Sequence, residues 1–146
     1  MESNISFNQA DQTDVEAIFS FCKDLIDCYE DCAMIEYDSV LTWIKNKIRD
    51  NIHAYICIYF KGVKVGYYHL ISHENATELD DFFIYPEFRS KGIGTYVLEK
   101  CMRESKCPIF LYVFRQNIGA IRLYERMGFR LSEAVGSTRL IMRYLG

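Results

Sequence analysis

The sequence predicts an α/β fold: one mixed, mostly antiparallel sheet flanked by helices, in the order β-α-α-β-β-β-α-β-α-β-β. Three observations carry this. Two stretches with helical spacing of apolar residues precede the main run of β-formers. The segments 53–60 and 63–72 are joined by Lys61-Gly62, which reads as a hairpin and not as a crossover. From residue 77 onward strand-like and helix-like segments alternate, but with two helices and a hairpin before them the whole order reads as a single mixed sheet and not a doubly wound one.

Each element has its own reason. Ile5 to Phe7 is a short strand. Thr13-x-x-Glu16 has the form of a capping box, and Val15, Ile18, Phe19, Cys22, Leu25 and Ile26 follow at helical spacing, which predicts a helix over 14–28. Ser39 as N-cap, followed by Val40, Leu41, Ile44 and Ile48 on one stripe, predicts a second helix over 39–50. Residues 77–85 form a third long strand, closed by Pro86. Ile93, Val97 and Cys101 lie on one face of a helix over 92–105. A strand over 108–114 leads to a helix over 117–127, stopped by Gly128 in the C′ position. Strands over 129–135 and 138–145 close the chain.

A length of 146 residues fits one domain over 1–146, large enough to bury about 68–70% of its unfolded surface. The 17 basic and 20 acidic residues give a net charge of −3, which argues against a nonspecific nucleic-acid binder. The longest apolar run, Ala54 to Phe60, spans seven residues, far short of the ~20 a membrane helix needs. Acids at Glu2, Asp11, Asp14 and Glu16 do not fit a signal peptide, so a soluble, cytoplasmic domain is expected, with no membrane partner. The six cysteines (22, 28, 32, 57, 101 and 107) form no C-x-x-C pair and have no histidine at zinc-ligand spacing. They read as small core hydrophobes, and no metal site is expected. His53, His69 and His73 read as structural or exposed, because no Ser or Cys nucleophile is placed beside them.

The informative stretch is Leu79-Asp-Asp-Phe-Phe-Ile-Tyr-Pro-Glu-Phe-Arg-Ser-Lys-Gly-Ile-Gly-Thr95. A strand ends at a proline, and Arg89-x-x-Gly92-x-Gly94 then opens a helix. The first N–H groups of a helix lack internal partners and carry about half a positive charge, so they attract anions. The glycines permit close approach, while Arg89 and Lys91 add local positive charge. No Gly-Lys-Ser/Thr follows, which excludes a Walker loop, and Val97 occupies the third glycine position of a dinucleotide fingerprint.

One strand downstream comes Asn117-x-x-Ala120-x-x-x-Tyr124-Glu-x-x-Gly128-Phe129. Together the two segments resemble the GNAT superfamily of acyl-CoA N-acyltransferases, with a GNAT-like element order from end to end. The resemblance is specific over 77–130, and Leu79 to Gly94 is similar to the spermidine/spermine N-acetyltransferase group. It implies acetyl-CoA as cosubstrate, a primary amine as acceptor (a small cationic amine or polyamine) and direct transfer without a metal; it also admits a homodimer. By position it assigns the main chain of Phe82, Phe83 and Ile84 to the pantetheine arm. Arg89, Ser90, Lys91, Gly92, Ile93, Gly94 and Thr95 go to the pyrophosphate, and Asn117 to the coenzyme arm. Tyr124 is assigned to protonation of the departing thiolate.

An acceptor amine must also lose a proton. Glu78, Asp80 and Asp81 are the candidate bases, with Asp80 matching the polyamine pattern and Glu78 the histone-acetylating one. Period-2 alternation puts Glu78 and Asp80 on one face and Asp81 on the other, unless a bulge intervenes. Tyr112 stands where the resemblance places an acid in acetyltransferases of ribosomal-protein N-termini, which speaks against that substrate. The segment 27–38 holds Asp27, Glu30, Asp31, Glu36 and Asp38 with no Lys or Arg, a wall suited to a polycation. A protein lysine acetyltransferase and a catalytically silent acyl-CoA-binding module are the alternatives.

Overall fold

The computed structural model describes residues 4–106 and 108–146. Its order is β1 (Ile5–Gln9), α1 (Val15–Tyr29), α2 (Tyr37–Asp50), β2 (Tyr55–Phe60), β3 (Val63–Ser72), β4 (Thr77–Ile84), α3 (Ile93–Glu104), β5 (Ile109–Phe114), α4 (Ile118–Arg126), β6 (Arg130–Val135) and β7 (Arg139–Tyr144), with short 3₁₀ turns between some of them. The expected order is therefore found. The strands form a seven-stranded sheet in the order β1-β2-β3-β4-β5-β7-β6. Every pairing is antiparallel except β4 with β5, which α3 joins as a crossover.

Local chemistry corrects several boundaries. Asp11, not Thr13, begins the first helical region: its carboxylate accepts the Thr13 N–H, and Asp14 reaches back to the Asp11 N–H. The second helix starts two residues before the expected Ser39 cap, at Tyr37, and Glu36 at its N-cap makes no side-chain capping bond. The β2–β3 turn has Lys61 and Gly62 both at positive φ (52° and 81°), which matches strand twist in a tight hairpin. Of the described cysteines, Cys22, Cys57 and Cys101 are buried as expected, but Cys28 is exposed and Cys32 half-buried. Cys107 lies outside the described residues.

The helices divide between the two faces of the sheet. Val15, Ile18 and Cys22 of α1 and Ile48 of α2 pack on Tyr55, Cys57, Tyr67 and Phe83. Ile93, Val97, Leu98 and Cys101 of α3 pack with Tyr124 and Phe129 against Ile58, Val65, Leu79, Ile84, Leu111 and Val113. Two features of β3 and β4 shape the middle of the sheet. Gly66 lies so close to β4 that a Cβ there would stand 2.0 Å from the Phe83 carbonyl oxygen, so only glycine fits. Next to it β4 carries a bulge: Tyr67 pairs with Phe83 and His69 with Asp80, which leaves Asp81 and Phe82 opposite Tyr68 alone. Asp81 takes up the extra residue at φ 50°, a left-handed conformation tolerated best by Gly, Asn and Asp.

Candidate active site

The loop between β4 and α3 takes the backbone shape its glycines suggest. After β4 the chain turns through Pro86–Phe88 and passes Ser90 (φ 62°) and Gly92 (φ 83°) before α3 begins. Gly92 is the N-cap of α3, and no side chain caps that end. The N–H groups of residues 90–95 donate to nothing within the described structure, so they are free to meet an anion. Arg89 serves the loop differently than by charge alone. Its Nε donates to the Ile84 carbonyl at 2.8 Å and its guanidinium lies 5.6 Å from the Phe83 ring centroid, tying the loop to the end of β4. Ser90 and Lys91 are exposed, whereas the Ile93 side chain is buried, so Ile93 can offer only its main chain. Gly94 sits against Leu123, Phe82 and Ile84, bringing the start of α3 beside β4 and α4.

The second feature is a slot in the sheet. β4 and β5 pair only at Thr77–Ile109 and Glu78–Phe110, then diverge. Past Glu78 the β5-facing N–H and C=O groups of β4 have no ladder partner, although Phe83 pairs with Tyr67 of β3 and the Ile84 carbonyl accepts from Arg89 Nε. An amide-bearing arm laid into the slot would complete those hydrogen bonds as an added strand does.

Tyr124 and Asn117 come from α4, on the α3 side of the sheet. Tyr124 exposes only 8% of its surface and packs against the Phe129 ring, 5.7 Å away between centroids. Its hydroxyl forms no hydrogen bond with the described residues. Because no sealed side-chain oxygen or nitrogen lacks a partner, that hydroxyl retains contact with solvent. Burial pushes its pKa well above the ordinary phenol value, so it stays protonated at neutral pH. Asn117 caps α4: its Oδ1 accepts the Ala120 N–H at 3.4 Å, leaving the amide NH₂ as the group open to a ligand.

The carboxylates are arranged differently from the alternation pattern. The bulge turns Asp81 onto the same face as Asp80, and both point toward α2. Lys47 Nζ donates to Asp80 Oδ2 and to Asp81 Oδ2, each at 3.0 Å. Asp81 also accepts the Tyr55 hydroxyl at 2.6 Å and the Cys22 thiol at 3.4 Å. His69 Nδ1 lies 3.1 Å from Asp80 Oδ2, and the His69 ring stacks on Tyr55 at 4.2 Å. Burial alone would raise the Asp80 pKa, but the His69 hydrogen bond and the Lys47 charge outweigh it and hold the carboxyl below its usual range. Lys47 shows the converse: burial opposes its charge, and Asp81 and Asp80 more than offset that, raising its pKa. Glu78 is not part of this group; it pairs with His73 Nε2 at 3.0 Å. The network around Lys47, including His69, is not legible from spacing. The one available signal is a lysine standing within an otherwise apolar helical stripe beside Ile44 and Ile48.

The acidic segment is partly engaged in holding itself together. Asp27 accepts from Lys23 at 2.8 Å and from the Tyr37 hydroxyl at 2.6 Å, Glu30 accepts the Thr138 hydroxyl at 2.5 Å, and Asp31 caps the Ala33 N–H at 3.2 Å. Only Glu36 and Asp38 remain exposed without such a partner. The Tyr29 ring reaches Phe114 at 5.9 Å, which places this segment beside the C-terminal end of β5, where the slot is open. Among the described residues, no cluster of three or more His, Cys, Asp or Glu side chains could hold a metal ion. No described helix is long and apolar enough to cross a membrane.

The Acetyltransferase (GNAT) family profile matches residues 18–129, from α1 through the loop and slot to Phe129. The chain belongs to the GNAT acetyltransferase family. Among curated relatives of this GNAT chain, an uncharacterized N-acetyltransferase of Methanocaldococcus jannaschii is 35% identical over 78 residues, 50% of this chain and 34% of that protein. The spermine/spermidine N(1)-acetyltransferase of Bacillus subtilis is 33% identical over 88 residues, 51% of this chain and 58% of its own length. The matched part thus spans between about a third and three-fifths of these relatives. In fold, the GNAT chain is similar to the PaiA N-acetyltransferase of Thermoplasma acidophilum in complex with coenzyme A (TM-score 0.73, 21% identity, 97% of this chain and 99% of that one). It is also similar to the acetyltransferase YncA of Salmonella typhimurium with acetyl-CoA (TM-score 0.64, 19% identity, 97% and 94%).

Proposed function

We propose that this GNAT chain is an acetyl-CoA-dependent N-acetyltransferase that acetylates a primary amine of a small polycation, a polyamine or a close analogue. The observation that carries the coenzyme half is the free N–H array of residues 90–95 beside the β4–β5 slot. Those N–H groups suit a pyrophosphate, and the open edge of β4 suits the amides of a pantetheine arm. The acceptor half rests on the charge around the slot and on the Bacillus subtilis relative, whose name states spermine and spermidine.

Acetyl-CoA supplies an activated thioester for attack by an uncharged amine. The residues of this chain have three tasks in that reaction. Residues 90–95 and the edge of β4 hold the coenzyme in register. Tyr124 offers its solvent-touched hydroxyl as a proton donor to the departing thiolate. The desolvation that raises the phenol pKa in this setting raises the proton affinity of a thiolate there as well, so transfer between them stays feasible. Asp80, ionised at neutral pH, is the charged group toward which the acceptor ammonium is drawn. Its carboxyl is held low, so Asp80 is a weak base and takes a proton, directly or through water, only from the more acidic nitrogen that forms as the amine attacks the thioester.

Calorimetry with CoA and a thiol-release assay over a panel of amines test the proposal. Wild-type chain should bind CoA, and Gly92→Val should weaken that binding by forcing a β-branched side chain to φ near 83°. Spermidine should exceed neutral and anionic amines in kcat/KM. No CoA binding removes the coenzyme half; CoA binding without turnover on any amine leaves a silent binding module; turnover on lysine-containing peptides alone makes it a protein acetyltransferase.

A further inference from the structure

Lys47 places an ammonium on the paired acids Asp80 and Asp81. The left-handed Asp81 brings two carboxylates to one spot, one residue before the slot-lining stretch that starts at Phe82. Tyr55 and Cys22 complete the Asp81 side, His69 completes the Asp80 side, and the Lys47 ammonium sits between the two acids at 3.0 Å from each. The side chains remain reachable: Lys47 is 21% exposed, Asp80 18% and Asp81 15%. A primary ammonium on a four-carbon stem is also the chemical form of a polyamine end. The Lys47 side chain thus sets a group of the same chemistry as a polyamine end on these two acids.

Lys47 also has somewhere else to go. Its Nζ lies 5.9 Å from the centroid of Trp43, one turn earlier on α2, and that ring is 65% exposed. A lysine released from the diacid can rest over this indole face without leaving its helix.

We propose that Lys47 is a specificity-determining residue that acts as an intramolecular competitor for the acceptor. Its ammonium closes the Asp80–Asp81 subsite, and an acceptor ammonium enters by displacing it toward Trp43. This rests on the acetyltransferase function proposed for the chain and adds how that site selects its acceptor. Competition of this kind lowers apparent affinity by the fraction of time the subsite is open, so a subsite open one-tenth of the time raises the apparent constant about tenfold. It favours acceptors with two or more charges, because a monocation gains little by replacing an equivalent tethered ion.

The test uses Lys47→Ala and Lys47→Arg in the full chain, with two separate readouts. The first needs no coenzyme and no turnover: thermal unfolding with added butylammonium chloride, compared with butanol and with tetramethylammonium chloride. Lys47→Ala should lose stability and regain it with butylammonium but with neither control, while wild type responds little. The second is acetyl transfer. KM for spermidine should fall about tenfold in Lys47→Ala, and should rise in Lys47→Arg, whose planar fork grips two carboxylates more firmly. Lys47→Arg keeps the ion pair and should fold, so the second readout survives if Lys47→Ala does not. Absence of specific rescue in a folded Lys47→Ala, or a spermidine KM in Lys47→Arg equal to or below wild type, overturns the proposal. Specific rescue in a chain that turns over no amine would keep the subsite and instead count against the acetyltransferase function.

Discussion

Replacing Tyr124 by Phe removes one oxygen from a ring whose hydroxyl has no hydrogen-bond partner among the described residues. The expected effects on folding and on catalysis can therefore be separated. No protein–protein hydrogen bond is lost, and the ring keeps its contact with Phe129 at 5.7 Å, so stability should change by less than about 0.5 kcal/mol or rise slightly. CoA affinity should hold, because residues 90–95 and the β4 edge are untouched. General acid catalysis contributes roughly 10²–10⁴-fold, which at about 1.4 kcal/mol per decade is about 3–5.5 kcal/mol of barrier. Steady-state thiol release under saturating acetyl-CoA should then show kcat reduced by that factor with KM nearly unchanged. Burial holds the phenol above its ordinary pKa, so wild-type kcat should show no alkaline fall attributable to Tyr124 below about pH 10. A Phe variant with kcat within about threefold of wild type would refute the assignment and leave the thiolate to be protonated by water. A variant that melts early would instead reveal a structural partner for the hydroxyl.

Three other outcomes are expected. Gly66→Ala should destabilise the chain by about 3 kcal/mol or more in denaturant titrations, since its Cβ would meet the Phe83 carbonyl oxygen at 2.0 Å and backbone cannot yield as a side chain does. Asp80→Asn should be less stable than wild type at neutral pH, and the gap should close on acidification. The folded-state pKa of Asp80 is depressed, so its contribution is complete above the ordinary carboxylate range and is lost as pH falls through the folded value; parallel melts from pH 6 downward check this. Neutralising the exposed pair Glu36 and Asp38 should raise KM for spermidine a few-fold at low salt and have little effect at high salt, with kcat preserved, because exposed charges act on capture and are screened over about 8–10 Å.

Much of the architecture is legible in the sequence because local rules decide it. The Lys61-Gly62 turn sets β3 at 63–72 as the returning strand of a hairpin, and Gly128 at φ 103° ends α4 as a C′ glycine does. The anion loop is equally local, since it depends on two glycines and a helix start. What spacing cannot supply are effects that need a partner strand. Asp81 reaches the face of Asp80 only because β3 presents a single residue, Tyr68, against two of β4. Lys47 and Asp80 are 33 positions apart and meet through tertiary packing. The motif assigns Asn117 to the coenzyme arm, yet its oxygen serves the helix cap, an equally common use of asparagine at that position. By composition the acid-rich segment 27–38 is a uniform negative wall, whereas three of its five acids are tied to neighbours.

The brevity of the β4–β5 ladder bears on how the sheet deforms. Two residue pairs join these strands, against six each for β3–β4 and β5–β7. The chain therefore consists of two well-laced panels, β1 to β4 and β5 to β7, sewn together by a short seam and by the packing of α3 and α4. Opening along that seam breaks few backbone hydrogen bonds, so it is the natural line for breathing motions and for the first step of partial unfolding. A ligand whose amides bond to the exposed edge of β4 would lengthen the seam from within. Slow amide exchange would then spread from each panel into the border residues 79–84, and the panels would unfold as one cooperative unit. If that ligand is the cosubstrate proposed above, it would also be a removable strand of the sheet, and the protein's rigidity would rise and fall with each turnover.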